Sequence, residues 1–348
     1  MTMSYRLFGR SGLRVSELAL GTMTFGTDWG WGADRGECRK LFDLYAEAGG
    51  NFVDTANNYT GGTSERIVGE LVAADRDHFV VATKYSLSTW PGDPNAGGNH
   101  RKNLVRALEA SLQRLGTDYV DLLWVHMWDA MTPAEEVVRA LDDLVRAGKV
   151  LYVGVSDTPA WVVARAVTLA ELRGWSAFCG LQVPWSLADR AVEREHLPLA
   201  AALDLAVTSW GVLEGGELTG KYLAPDGRPT RSRPEHVSPR VNDLAREVVA
   251  VAGELGRPPA QVAIAWVRQQ EPGWGVPLIP ILGARSAAQL ADNLGCLDLR
   301  LGSEQLDRLS AASSFQPGFP RSFLESDHVR GLIFGATFER IAPHRRAG

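Results

Sequence analysis

The sequence predicts an α/β fold built as a single (β/α)8, or TIM, barrel with an N-terminal β-hairpin cap. Short, almost continuously apolar runs recur along the chain with amphipathic stretches carrying helix start signals between them, and polar residues at the strand ends select the closed barrel among the folds that pattern allows. The hairpin comes first, over 5–15, where two short runs flank the turn-forming Gly9-Arg10-Ser11-Gly12. Eight runs then read as strands buried on both faces: Glu17–Leu20, Asn51–Asp54, Phe79–Lys84, Val120–His126, Tyr152–Ser156, Gly180–Val183, Leu205–Trp210 and Pro277–Leu282. Of the helices between them, the clearest opens at Thr132-Pro133-Ala134-Glu135, with capping-box spacing and Pro133 at the first helical position. Val137, Val138, Leu141, Leu144 and Val145 form its apolar stripe, and Gly148 ends it. Thr158-Pro159 and Ser303 open two more helices in the same way. The rhythm is broken between the seventh and eighth strands by a Gly-, Pro- and Arg-rich insertion from Gly211 to about Arg240. A C-terminal extension over 315–348 carries Pro317, Gly318, Pro320 and a basic end at Arg345-Arg346. Each of these two segments reads as a lid or as a mobile surface loop.

Length alone, 348 residues, would fit two domains, but α/β barrels run this long as one unit, and we read 1–348 as a single domain. Charge is nearly balanced, at −5, with no basic stripe to neutralise a phosphate backbone, so nucleic acid is not expected as a partner. Residues 1–10 hold no apolar leader core, and no run approaches the roughly 18 apolar residues of a membrane span. A cytoplasmic protein without membrane association is expected. Cys38, Cys179 and Cys296 are odd in number and far apart, which reads as reduced thiols in a core. The histidines form no H-E-x-x-H or H-x-H pair, so no metal is expected.

Eight alternating units fit either an open doubly wound sheet or a closed barrel, and the polar residues at the strand ends decide between them. Asp54 closes the second strand, Tyr59 follows five residues on, Lys84 closes the third and His126 closes the fourth. In a barrel these ends are neighbours at the C-terminal mouth, where the active sites of that fold lie. Taken singly each has a plain explanation: a capping Asp, a bridging Lys, a packed Tyr, a core His. Together they solve one problem. A carbonyl that accepts hydride develops alkoxide character and needs a proton, and a tyrosine of ordinary pKa about 10 gives one up only if its phenolate is stabilised. Lys84 supplies the stabilising charge, Asp54 the counter-charge that makes a buried Lys84 tolerable, and His126 a hydrogen bond to orient the substrate oxygen.

The stretch Asn51-Phe52-Val53-Asp54-Thr55-Ala56-Asn57-Asn58-Tyr59, with Gly62-Thr63-Ser64-Glu65 and Gly69 behind it, then Ala82-Thr83-Lys84 and Trp124-Val125-His126, resembles the aldo-keto reductase superfamily. The likeness runs from Leu7 to about Asn293. Gly154-Val155-Ser156-Asp157-Thr158-Pro159-Ala160-Trp161 and the Trp128-Asp129 pair are similar to its aryl-alcohol dehydrogenase-like branch. No G-x-G-x-x-G opens a helix; Gly30-Trp31-Gly32-Ala33-Asp34-Arg35-Gly36 has the wrong spacing, so a Rossmann domain is not indicated.

The resemblance implies instead an NADP(H) lying extended across the mouth. On it, Thr22 and Met23 after the first strand line the cofactor, together with Asp54; Ser156, Asp157 and Gln182 hold the nicotinamide carboxamide; and Trp210 stacks on the ring. Most of the superfamily has Asn where Asp157 stands. Gly211, Leu213, Gly215, Gly216 and Lys221 resemble the pyrophosphate loop, in which Glu214 is an awkward charge that should point away. Gly283, Arg285, Gln289 and Asn293 follow the eighth strand, the last three on one helix face whose N-terminus suits a phosphate, with Arg285 as partner of the 2′-phosphate. Trp29, Trp31, Trp90 and Trp128 wall an aromatic substrate pocket or pack loops on helices.

The leading expectation is therefore an NADPH-dependent oxidoreductase that reduces aldehydes or ketones, aryl aldehydes among them, with Tyr59 as general acid. A cofactor-binding regulatory module resembling potassium-channel β-subunits, with little turnover, is the alternative. A barrel isomerase or aldolase using Lys84 as a Schiff-base nucleophile ranks third, because a partnered Asp54 should keep Lys84 protonated.

Overall fold

In the computed structural model, which describes residues 2–223 and 237–342, eight parallel strands pair in chain order and the last pairs with the first, closing a barrel. The middle of the predicted insertion and the basic Arg345-Arg346 end lie outside the described residues. The hairpin strands are β1 (Tyr5–Leu7) and β2 (Arg14–Ser16). The barrel strands are β3 (Ala19–Gly21), β4 (Phe52–Asp54), β5 (Val80–Tyr85), β6 (Val120–Val125), β7 (Val150–Ser156), β8 (Gly180–Pro184), β9 (Ala206–Trp210) and β10 (Leu278–Gly283). Around them run α1 (Arg35–Glu47), α2 (Thr63–Val72), α3 (Arg101–Leu115), α4 (Ala134–Arg146), α5 (Ala160–Arg173), α6 (His196–Leu203), α7 (Pro239–Leu255), α8 (Pro259–Arg268), α9 (Glu271–Trp274), α10 (Ala287–Leu294) and α11 (Ser303–Ala312). No helix among the described residues is long and apolar enough to cross a membrane.

The first barrel strand starts two residues later than its apolar run. Glu17 is spent elsewhere: its backbone N–H donates to the Ser4 carbonyl, and its carboxylate accepts from Ser4 N–H and from Arg268. Parallel register then sets the mouth. Gly21 pairs with Asp54, Asp54 with Ala82, Lys84 with Trp124, and Ser156 with Gln182.

Two apolar cores hold this frame. The larger lies between strands and helices, and the smaller fills the barrel interior with Val15, Phe52, Val80, Leu122, Trp124 and Ile279. The hairpin has a physical task here, because it delivers Phe8 to that interior, fully buried. Its ring meets Phe52 edge-on with centroids 5.7 Å apart and Trp124 at 6.1 Å. The plug demands close backbone approach: Gly9 sits at φ +56°, and a Cβ there would fall 2.3 Å from the Cys179 carbonyl oxygen. Inside the barrel, Gly154 makes room for Trp124, whose ring carbon a Cβ would approach to 2.4 Å.

Three predicted helix caps are not made. The Thr132 hydroxyl donates to Asp129 and the Thr158 hydroxyl to the Ser156 carbonyl, so α4 and α5 begin after Pro133 and Pro159 without a side-chain cap. At α11 the residue before the helix is Gly302, and Ser303 is already helical. In each threonine the hydroxyl found a loop partner within three residues, which competes with capping. The C-terminal extension leaves α11 and is held at the barrel's side by the Arg194 Nε bond to the Pro317 carbonyl and the Arg321 bond to the Glu193 carbonyl, each 2.5 Å.

Phe8→Ala should cost about 3–5 kcal/mol, the loss expected for truncating a buried aromatic that leaves a cavity. The urea midpoint of unfolding, followed by tryptophan fluorescence, measures it.

Candidate active site

The four polar residues at the strand ends meet at the C-terminal mouth. Lys84 Nζ donates to Asp54 Oδ2 at 2.5 Å, to the Thr55 carbonyl at 2.8 Å and to the Tyr59 hydroxyl at 3.1 Å. An ammonium has three N–H donors, and these three acceptors use them all. Asp54 and Lys84 are buried, at 2% and 1% exposure, as a charge pair must be matched to be. The His126 backbone N–H donates to the Tyr85 carbonyl, extending the ladder, and its ring stands edge-on to Tyr59 with centroids 6.1 Å apart.

Local structure aims Tyr59. It opens a short turn over Tyr59–Gly62 in which Thr60, at φ 46°, donates its hydroxyl to the Phe25 carbonyl and accepts from Ser64 N–H. The Ser64 hydroxyl donates in turn to the Thr22 carbonyl, and both the backbone and the side chain of Thr22 donate to the Asp54 carbonyl. Behind the next strand, fully buried Glu65 accepts from the Thr83 hydroxyl at 2.5 Å and from Arg114 at 2.6 Å. That carboxylate fixes the residue beside Lys84. Its role is legible only in three dimensions, since eighteen positions separate it from Thr83.

The electrostatics keep Tyr59 a protonated phenol beside a charged Lys84. Burial, the largest influence, raises the Tyr59 phenol above its ordinary value; the Lys84 charge pulls it down, and the Asp54 and Asp157 charges push it up. Burial alone would lower Lys84, but the Asp54 charge and the Tyr59 hydroxyl outweigh it and leave the ammonium raised. His126 is pushed down to about 3 by burial and by the Lys84 charge, so its ring is neutral. Its Nδ1 is enclosed without a partner among the described residues, which leaves Nε2 to face outward.

The mouth also gathers the residues expected on the cofactor side. Gln182 donates Nε2 to Asp54 Oδ1 at 3.0 Å, leaving its Oε1 as acceptor, beside buried Ser156. Trp210 is 41% exposed and donates Nε1 to Asp157 Oδ1 at 3.3 Å. Met23 follows Thr22 half-buried. After Trp210 the chain turns through left-handed Gly211, Gly215, Gly216 and Gly220; Leu213 packs on the core, and the Lys221 amine lies over the loop at 3.2 Å from the Gly215 carbonyl. Glu214 accepts from the Ser186 hydroxyl at 2.9 Å.

Beyond the eighth strand the arrangement differs from the expected single helix face. Gly283 ends β10, and Arg285 precedes the Ser286 cap, its backbone N–H donating to Gln289 Oε1 at 2.9 Å. Asn293 is buried on the same helix. The Ser286 side chain and a Glu37 carboxylate oxygen, 2.6 Å from Ala287 N, already occupy part of the helix N-terminus. An anion here would therefore meet the Arg285 side chain rather than a vacant helix end. Of the tryptophans, Trp29 and Trp31 pair at 5.6 Å in the loop after β3, Trp90 stands 67% exposed after β5, and Trp128 packs partly on the core.

One residue at the mouth went unread in the sequence. The Asn57 side chain is buried with neither amide atom partnered among the described residues, in the loop between Asp54 and Tyr59. No metal-binding group of His, Cys, Asp or Glu occurs among the described residues.

Comparison with known proteins gives the chain's relatives. A model of the aldo/keto reductase family matches residues 17–314. The chain is 39% identical to norsolorinic acid reductase of Aspergillus flavus, over 91% of this chain and 83% of that one. It is 38% identical to an aryl-alcohol dehydrogenase of Pestalotiopsis microspora, over 96% and 90%, and 35% identical to the NADP(+) aryl-alcohol dehydrogenase of Phanerodontia chrysosporium, over 97% and 90%.

Because its folded pKa is depressed, His126 binds a proton in the unfolded chain, below the usual pKa of about 6.5, before it does in the folded one. Its contribution to stability is thus fully present above that value and is lost as pH falls towards about 3. The imidazole carbon shift in a two-dimensional NMR titration should stay at its neutral position from pH about 8 to about 5, where an exposed histidine moves through its transition.

Proposed function

The chain belongs to the aldo/keto reductase family, and from that membership we propose an NADP-dependent oxidoreductase that reduces aldehydes or ketones to alcohols with Tyr59 as general acid. The carrying observation is the Lys84 ammonium bonded at once to Asp54 and to the Tyr59 hydroxyl. Residues 1–348 act as one catalytic domain. The three cysteines are free and buried, their thiols raised by burial, in keeping with a cytoplasmic protein.

The site's chemistry fits NADP(H). The exposed face of Trp210 suits a planar ring, Ser156, Asp157 and Gln182 offer acceptors to its carboxamide, and the left-handed glycines with Lys221 suit a pyrophosphate. The Arg285 guanidinium makes no ion pair among the described residues and suits a 2′-phosphate. When bound, the cofactor supplies the hydride.

Tyr59 passes its hydroxyl proton to the substrate oxygen as that oxygen gains charge. Lys84, held protonated by Asp54, stabilises the phenolate left behind and restrains it at 3.1 Å. Neutral His126 donates from Nε2 to the same oxygen and orients the carbonyl. The raised Lys84 disfavours a Schiff-base nucleophile, which needs a depressed pKa. The Trp29–Trp31 pair favours an aromatic carbonyl substrate.

Purified protein with NADPH and a panel of aromatic aldehydes should lose absorbance at the reduced-nicotinamide band. Tyr59→Phe should lower kcat by about 10²–10⁴-fold, the usual worth of a positioned proton donor, while NADPH still binds. Equally slow wild type and mutant with tight cofactor binding would instead indicate a regulatory module.

A further inference from the structure

We propose that Asp157 sets the redox preference of the cofactor site, its carboxylate favouring the oxidised, positively charged nicotinamide over the neutral reduced ring. The inference rests on the cofactor reading above.

The backbone holds Asp157 in place. It sits at φ +39°, its N–H donating to the Gln182 carbonyl at 3.4 Å and its carbonyl accepting from Trp128 N–H at 3.3 Å. This left-handed turn after β7 directs the side chain at Trp210, whose indole N–H reaches Oδ1 at 3.3 Å. The carboxylate therefore lies at the edge of the indole whose exposed face suits the nicotinamide. An amide oxygen would accept the same bond, and Asn tolerates the same backbone conformation, so neither contact requires a charge.

That charge has no counter-ion among the described residues. Asp157 forms no ion pair among the described residues, and the nearby Lys84 spends its donors on Asp54, Thr55 and Tyr59. Burial accordingly raises its carboxyl above the ordinary range, against the opposing pull of the Trp210 and Ser156 hydrogen bonds and of Lys84. A cation brought against Trp210 would relieve this cost. Hydride transfer creates such a cation: two electrons and the hydrogen nucleus pass to the carbonyl carbon, the ring gains one positive charge, and Tyr59 gives its proton to the oxygen. The carboxylate stabilises that developing charge during carbonyl reduction and then retains NADP(+) more firmly than NADPH.

Dissociation constants for NADP(+) and NADPH, measured by quenching of tryptophan fluorescence and by calorimetry at neutral pH, test this on wild type and Asp157→Asn. The substitution keeps the backbone conformation and the indole bond, and near-UV circular dichroism should be unchanged. The ratio of the NADP(+) constant to the NADPH constant should rise by about tenfold, a Coulombic effect discounted for partial exposure. For a two-electron couple, that is a rise of about 30 mV in the potential of the bound cofactor. A ratio that stays within about twofold while both forms still bind would overturn the proposal and leave the reductase reading standing. Failure of wild type to bind either form would overturn both.

Discussion

The site depends on one buried ammonium whose donors are all spoken for. Lys84 is 1% exposed and bonds Asp54, the Thr55 carbonyl and the Tyr59 hydroxyl. Removing an ion from water costs several kcal/mol, recovered only where geometry and further hydrogen bonds satisfy it, and here they do. Asp54 is matched as fully, because Gln182 occupies its second oxygen from the far side of the barrel. The pair thus joins the second, third and sixth strands of the closed sheet. Its hydrogen bond fixes the Tyr59 hydroxyl, the acid of the proposed reaction.

Everything beneath the mouth keeps that pair in register. Closure of the sheet brings β4, β5 and β8 into reach of one another, and closure requires an interior filled at native density. Phe8 and Trp124 supply bulk, Gly154 and Gly180 the space to receive it. Outside the sheet, Glu65 bonds Thr83 and ties its strand to α2, and through Arg114 to α3. A buried carboxylate behind the sheet thereby fixes the residue beside Lys84.

Much of this was legible in the sequence, for stated reasons. Strands buried on both faces leave continuous apolar runs, so all eight barrel strands could be found, and polar residues ending such runs marked the mouth. Boundaries and caps were less legible, since they turn on competition among partners. Glu17 looked like strand until Ser4 and Arg268 claimed it, and Thr132 and Thr158 looked like caps until Asp129 and a carbonyl took their hydroxyls. Arg285, Gln289 and Asn293 have helical spacing, but the helix begins after Ser286, which takes Arg285 off its face. The Asn57 amide, without partners among the described residues, and the tie from Glu65 to Thr83 had no sequence signal, because such pairing is a property of the packed state.

Asp54 and Asp157 carry the same side chain at the same end of the barrel, yet their surroundings divide their work. Asp54 has a permanent cation and a second donor, so its charge is spent inside the protein and serves Lys84. Asp157 has an indole N–H and no counter-ion among the described residues, so its charge remains available to whatever lies on Trp210. A carboxylate that is already neutralised can orient but exerts little net field, whereas an unmatched one responds to each change of charge beside it. The proposed reaction uses both behaviours at once: a fixed charge behind Tyr59, and a responsive one beside the ring that would become positive on Trp210.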